Sequence, residues 1–243
     1  MISDSLFISI YMIDFSVFEK KLGVEFKNKD ILRQAFTHRS YINEHKGGDL
    51  SHNERLEFLG DAVLELAVTH YLFEKYPDSP EGDLTSFRAS LVNTLTIAEA
   101  GQEYGMGDFL LLSKGEARDT GRARQYILAN TFEAVIGALY LDQGYDGAHK
   151  FIEEALFHKI DDIVKRGLWR DGKSLFQEMA QEKAGITPTY EVVKESGPDH
   201  DKEFIVAVLL DGEEIAQGSG KSKQEAQQSA ATNALKAKGW NMD

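Results

Sequence analysis

The spacing of the apolar residues changes near residue 170, and this change constrains the fold more than any other feature of the sequence. Through residues 14–160 apolar residues recur at helical intervals, as Val17, Phe18 and Leu22 do. After about Arg170 three segments alternate as β-strands do, at 189–194, 203–210 and 213–218, between helical stretches at 174–184 and 222–238. We therefore predict an α-helical N-terminal domain joined to a small α+β domain of order α-β-β-β-α.

Turn and breaker residues refine this division. The helical part has predicted helices at about 15–22, 29–36, 52–75, 81–100, 124–142 and 145–165, with a break at the prolines of 76–80. In the second part Asp211-Gly212 predicts a tight hairpin, and Gly197-Pro198 separates the first two strands. We place the two domains at 14–163 and 172–240, with 164–171 as the linker.

Composition excludes several classes of site. The chain has no cysteine, which rules out disulfides, zinc–thiolate sites and thiol nucleophiles and favours a reducing, cytoplasmic setting. The apolar run from Leu6 to Ile13 is too short to span a bilayer, and no basic segment precedes it as in a signal peptide. We expect no membrane association and expect ordered structure to begin near Asp14. The net charge of −13 argues, taken alone, against a nucleic-acid partner, although a cluster of metal-binding acids would also contribute to it.

One predicted helix carries a stripe of acids. Glu54, Glu57 and Asp61 are spaced i, i+3 and i+7, which puts them within roughly 60° of one another around a helix. A separate apolar stripe can face the core: Leu56, Leu59 and Val63. Acids so placed repel each other. A divalent cation bound between them would replace this repulsion with net attraction. The simpler interpretation, an acidic solvent-exposed face, stays open at this point.

A second helix carries the polar pair Asn130 and Glu133, spaced i and i+3 in an otherwise apolar stretch. Buried polar groups need partners, and either a hydrogen-bonded core pair or a ligand role satisfies that need. Hard oxygen ligands suit magnesium or manganese. Such ions acidify water and stabilise the charge that develops at an attacked phosphorus atom.

The run from Asn53 to Asp61, NERLEFLGD, resembles the signature of ribonuclease III enzymes, and residues 37–41, 81–84 and 130–137 match that family as well. The resemblance implies the ribonuclease III endonuclease fold. It also implies a metal-dependent hydrolase that cuts double-stranded RNA into 5′-phosphate and 3′-hydroxyl ends, using magnesium or, as a substitute, manganese. The expected substrates are precursors of ribosomal and messenger RNA, the expected state is a homodimer, and no organic cofactor is implied.

Carried over residue by residue, the resemblance implies that Glu57, Asp61 and Glu133 are direct metal ligands, with Glu54 and Glu81 as further catalytic acids. Asn130 departs from the family, since many members have Asp there. An amide oxygen still coordinates a hard cation but removes one negative charge, so we expect weaker or more manganese-tolerant metal binding.

The residue matching Phe58 packs against the partner subunit in family members, so Phe58 is expected at a dimer interface. The plain alternative for Phe58 is a place in the core of its own chain.

The C-terminal pattern resembles a double-stranded-RNA-binding domain. By that resemblance Lys221, Ser222 and Lys223 contact phosphates at a helix N-terminus, and Gln177, Glu178 and His200 enter minor grooves. Residues 172–243 hold eight lysines, no arginine and twelve acids, a net charge of −4. We therefore expect modest, strongly salt-sensitive RNA affinity from this domain.

Two other classes of protein share parts of this pattern. In a pure RNA binder Asn130 would have silenced the site, but the five acids would then serve little purpose. A di-iron oxidoreductase also gathers helix carboxylates, yet it needs Glu-x-x-His pairs, and no Glu of this chain has His three positions on.

Overall fold

Two long helices lie at the centre of the N-terminal part of the chain. The computed structural model describes residues 13–45, 50–165, 169, 172–198 and 202–240, and the chain divides into two compact units between Lys165 and Arg166. The helices of the first unit are α1 Phe15–Leu22, α2 Lys29–Ala35, α3 Arg39–Glu44, α4 Glu54–Lys75, α5 Glu81–Leu91, α6 Thr94–Glu103, α7 Arg122–Leu156 and α8 Ile160–Lys165. Short 3₁₀ turns lie at Met106–Phe109, Glu116–Arg118 and Phe157–Lys159.

The prediction of one continuous helix at 81–100 is wrong. The chain breaks at Asn93, whose side chain accepts a hydrogen bond of 3.0 Å from the Thr96 amide and so begins α6. Asn competes with the backbone for hydrogen bonds and is favoured at helix N-termini for that reason. The six-residue helix α3 was not predicted, because it is too short to show a periodicity.

The last helices of the first unit also differ from the prediction. α7 runs on to Leu156, with one non-helical residue, Gly144 (φ 81°, ψ −174°), between the two helices predicted there. The predicted helix 145–165 is divided by the turn at Phe157–Lys159. Most of the run Leu6 to Ile13 falls outside the described residues.

The second unit has the predicted order α-β-β-β-α. Its elements are α9 Gly172–Ala184, β1 Thr189–Ser196, β2 Glu203–Leu210, β3 Glu213–Gly220 and α10 Lys223–Lys238, with an antiparallel sheet of order β1-β2-β3. Asp211 (φ 51°) and Gly212 (φ 81°) are both left-handed, as the predicted hairpin turn requires. The fold class predicted from the sequence is thus confirmed for both parts.

The sheet of the second unit packs on an alanine-rich face of α10. Val206 and Val208 of β2 are fully buried, and so are Ala226, Ala230, Ala231 and Ala234 of α10. A Cβ at Gly218 of β3 would overlap the Ala230 backbone, so only glycine permits this approach of helix to strand. Within the described ranges, no helix is long and apolar enough to cross a membrane.

Candidate active site

The helices α4 and α7 cross at two glycines. A Cβ on Gly60 would overlap the carbonyl oxygen of Glu133 and lie 2.6 Å from its carbonyl carbon, and a Cβ on Gly137 would overlap the carbonyl oxygen of Leu56. Each helix therefore fits against the backbone of the other only because neither glycine has a side chain. Gly60 precedes Asp61 and Gly137 follows Glu133 by one turn, so the crossing brings the acids of the two helices together.

Asn53 anchors the start of α4. Its side-chain amide donates to the carbonyl oxygen of Ala35 (3.1 Å) and its backbone N–H to that of Thr37 (2.9 Å). Its own carbonyl oxygen accepts from the amides of Leu56 and Glu57, at 2.8 and 2.9 Å. The residue is 3% exposed, so these bonds fix the first turn of α4. The prediction gave Asn53 no role; its place directly before an acidic first turn was the available signal.

Three acids of the crossing influence one another. Burial, followed by the charges of Asp61 and Glu57, raises the pKa of Glu133 to about 8. Burial also raises the pKa of Glu57, with Glu54 and Asp61 adding to the effect. Burial, followed by the charge of Glu65, raises the pKa of Asp61. Glu65 was not among the predicted site residues. The site therefore concentrates negative charge from two helices, which a cation would stabilise.

Asn130 lies with these acids. Its side chain hydrogen-bonds to Glu57, and this bond lowers the Glu57 pKa against the other influences. Asn130 is half-buried on α7, one turn before Glu133. The structure thus brings Asn130 of α7 to Glu57 of α4.

The remaining two predicted acids, Glu54 and Glu81, have different surroundings. Glu54 faces basic groups, since its Oε1 is 3.4 Å from Arg39 Nη1 and its Oε2 is 3.8 Å from His52 Nδ1. Glu81 is exposed in the first turn of α5 and accepts a bond of 3.0 Å from the Thr85 hydroxyl. The acids that raise the Glu57 and Glu133 pKa do not include Glu81. Electrostatic influences thus join Glu54, Glu57, Asp61 and Glu133, whereas Glu81 is contributed by a third helix, α5.

The carboxylates lie near one another but do not converge on one position for a metal ion. Among the described residues, no group of three His, Asp or Glu side chains is arranged to hold a metal ion. Mutual repulsion opposes closer approach of these side chains, and Glu and Asp side chains reorient readily at a partly open site. The donor set, three carboxylates and an amide, is the one that magnesium or manganese prefers.

Phe58 is not a core residue of its own chain, so that alternative is wrong. Its side chain is 81% exposed, and it shares the outer side of α4 with Leu66 and Phe73, 58% and 70% exposed. Large apolar side chains exposed together on one helix usually mark an interaction surface.

The second unit presents the predicted RNA-facing residues on two elements. Gln177 and Glu178 are exposed on α9, and Ser222 caps α10 by accepting a bond of 3.1 Å from the Glu225 amide. Lys221 and Lys223 are exposed beside this cap. His200 lies outside the described residues.

Comparisons with known proteins agree with this architecture. A ribonuclease-III-like family model matches residues 28–160, and a double-stranded RNA binding motif matches residues 173–238. Ribonuclease 3 of Geobacillus kaustophilus is 47% identical over 221 residues, covering 91% of this chain and 89% of the relative. Ribonuclease 3 of Enterococcus faecalis is 46% identical over 222 residues, covering 90% and 95%.

The fold of the first unit is also found in a solved structure. The nuclease domain of ribonuclease III from Campylobacter jejuni is 40% identical, with a TM-score of 0.52, and the match covers 58% of this chain and 98% of that one. Family models cover both units, and relatives at this identity span nearly the whole chain. The chain therefore belongs to the ribonuclease III family and is an endoribonuclease specific for double-stranded RNA.

Proposed function

We propose that the chain cuts double-stranded RNA with a divalent cation held by Glu57, Asp61, Asn130 and Glu133. The observation that carries this proposal is the meeting of acids from α4 and α7, where burial and acidic neighbours raise the Glu133 pKa to about 8. Such a concentration of buried charge is costly to the folded chain without a counter-ion. Magnesium fits the donor set best, with manganese as a substitute.

A divalent ion at these residues would acidify water and stabilise charge on the cleaved phosphodiester. The chain contributes the fixed crossing that holds the carboxylates, and Glu133 must give up its proton before it can bind a cation. Glu54 and Glu81 act as further acids of the cleavage valley. The products carry 5′-phosphate and 3′-hydroxyl ends.

The functional unit proposed is a homodimer in which Phe58 packs against the partner subunit. The exposure of Phe58 supports this, and so does the relative from Campylobacter jejuni, which has a region involved in dimer formation. With one site per subunit, each subunit cuts one strand and leaves short 3′ overhangs.

In this proposal the second unit binds the RNA. Lys221, Lys223 and the capped N-terminus at Ser222 contact phosphates, whereas Gln177 and Glu178, with His200, contact minor grooves. Precursors of ribosomal and messenger RNA are the proposed substrates, and the cytoplasm is the proposed location. The proposed domain limits are 14–163 and 172–240, with 164–171 as the linker.

Incubation of a perfect RNA duplex with magnesium tests the proposal. The native chain should yield a defined product set with 5′-phosphate ends, which Glu133→Gln abolishes while still binding the duplex. Glu99→Gln, which alters an exposed acid of α6, is the matched control and should cleave normally. Binding without cleavage by the native chain would instead favour the RNA-binding alternative.

A further inference from the structure

Asn53 lies at the start of α4, but its side chain is not used as a helix cap. Its backbone has helical dihedral angles (φ −82°, ψ −11°), and within the described first turn of α4 its side chain makes no capping hydrogen bond. A capping side chain needs an extended backbone, as at Asn28 before α2, whose oxygen accepts from the Asp30 and Ile31 amides. The side-chain amide of Asn53 instead donates to the carbonyl oxygen of Ala35.

The residues that precede α4 are tied to the end of α2. Asn53 donates to the carbonyl oxygen of Ala35 through Nδ2 and to that of Thr37 through its backbone N–H. Beside these bonds, Gln34 Nε2 donates to the carbonyl oxygen of His52 at 3.1 Å. Ala35 and Thr37 are both fully buried. The start of α4 is therefore held against a part of the core that cannot move easily.

The same residue holds Glu57 directly. The Asn53 carbonyl oxygen accepts from the Glu57 amide at 2.9 Å, and this bond belongs to the first turn of α4. Glu57 is a proposed metal ligand. Magnesium keeps its oxygen ligands at about 2.1 Å in a nearly fixed octahedron, so a shift of the first turn by about 1 Å would remove Glu57 from the ion. The position of Glu57 thus depends on where Asn53 is held.

We propose that Asn53 is a positioning residue for RNA cleavage: its Nδ2–H bond to Ala35 sets where the first turn of α4, and with it the Glu57 carboxylate, lies in the nuclease unit. The inference rests on the proposed function, because Glu57 matters here as a metal ligand. What this position requires is a hydrogen-bond donor. An ordinary helix start requires an acceptor, for which Asp and Ser serve as well as Asn.

Asn53→Asp separates the two roles. It keeps the shape of the side chain but replaces the donor by an oxygen that repels the Ala35 carbonyl oxygen. A capping role predicts no loss, whereas the proposal predicts a melting temperature lower by roughly 2–12 °C, because a buried acceptor loses its donor. At a temperature where the variant is folded, kcat should fall roughly tenfold to 100-fold with little change in KM. Manganese binding, measured by titration calorimetry, should weaken as well.

Two further variants complete the test. Asn53→Ser also suits a helix start but adds no charge, and it serves if Asn53→Asp does not fold. It should lower kcat and manganese affinity in the same direction by a smaller factor. Asn28→Asp is the matched control, because the Asn28 side chain acts through its oxygen, and it should keep the native kcat.

The outcomes that overturn the inference differ from those that overturn the proposed function. Native kcat in folded Asn53→Asp would overturn the inference, as would a loss confined to the melting temperature or to KM. A fall in kcat for Asn53→Asp that Asn53→Ser does not share would also overturn it, since the added charge would then be the cause. Failure of the proposed function would appear as no cleavage by the native chain.

Discussion

Replacing Gly60 by alanine tests whether the helix crossing sets the geometry of the site. The added Cβ would lie 2.6 Å from the carbonyl carbon of Glu133 and 2.9 Å from the amide of Gly137. Ordinary carbon contacts begin at about 3.5 Å, and the Cβ would also overlap the carbonyl oxygen of Glu133, so α4 and α7 must separate by at least about 1 Å. Overpacking of this kind costs about 1–3 kcal/mol, which corresponds to a fall in melting temperature of roughly 2–12 °C.

The same displacement should impair cleavage beyond its effect on stability. A shift of about 1 Å between reacting groups can cost roughly 100-fold in rate, and here it would separate Glu57 and Asp61 from Glu133. Thermal unfolding and duplex cleavage at a temperature where the variant is folded measure the two effects. Gly82→Ala is the matched control, because a Cβ there meets nothing within 4 Å and α5 should gain stability. Equal stability and kcat for the two variants would refute the reasoning.

Four further predictions concern the other parts of the account. Asn130→Asp should lower the magnesium concentration that gives half-maximal cleavage, because it restores a charged ligand. An unchanged magnesium requirement would contradict the hypothesis that Asn130 weakens metal binding. With chelator present, stability should fall as the pH rises from 4.5 towards about 8, since folding raises the pKa of Glu133 over that range, and denaturation of Glu133→Gln should show a flatter profile. Lys223→Ala should reduce the salt dependence of RNA binding, measured by fluorescence anisotropy, by about one unit of log–log slope, whereas Lys236→Ala at the other end of α10 should have less effect. Phe58→Asp should yield monomers in sedimentation velocity, and an intact dimer would place the interface elsewhere.

Features that depend on one element could be predicted from the sequence. The stripe of Glu54, Glu57 and Asp61 follows from helical periodicity alone, and the strand limits 203–210 agree with the structure because both ends carry clear signals. The turn at Asp211-Gly212 needs two left-handed residues, which this dipeptide adopts at low cost.

Features that depend on two elements could not be predicted in the same way. Nothing in local spacing says that Gly60 meets Glu133 across a helix crossing, or that Asn53 reaches the carbonyl oxygen of Ala35.

Manganese binding by titration calorimetry tests the central claim most directly, namely that acids from α4 and α7 share one cation. The native chain should bind the ion, and Glu57→Gln and Glu133→Gln should each weaken binding at least tenfold, because each removes a charged ligand from the same site. Equal binding by the native chain and by either variant would contradict the account.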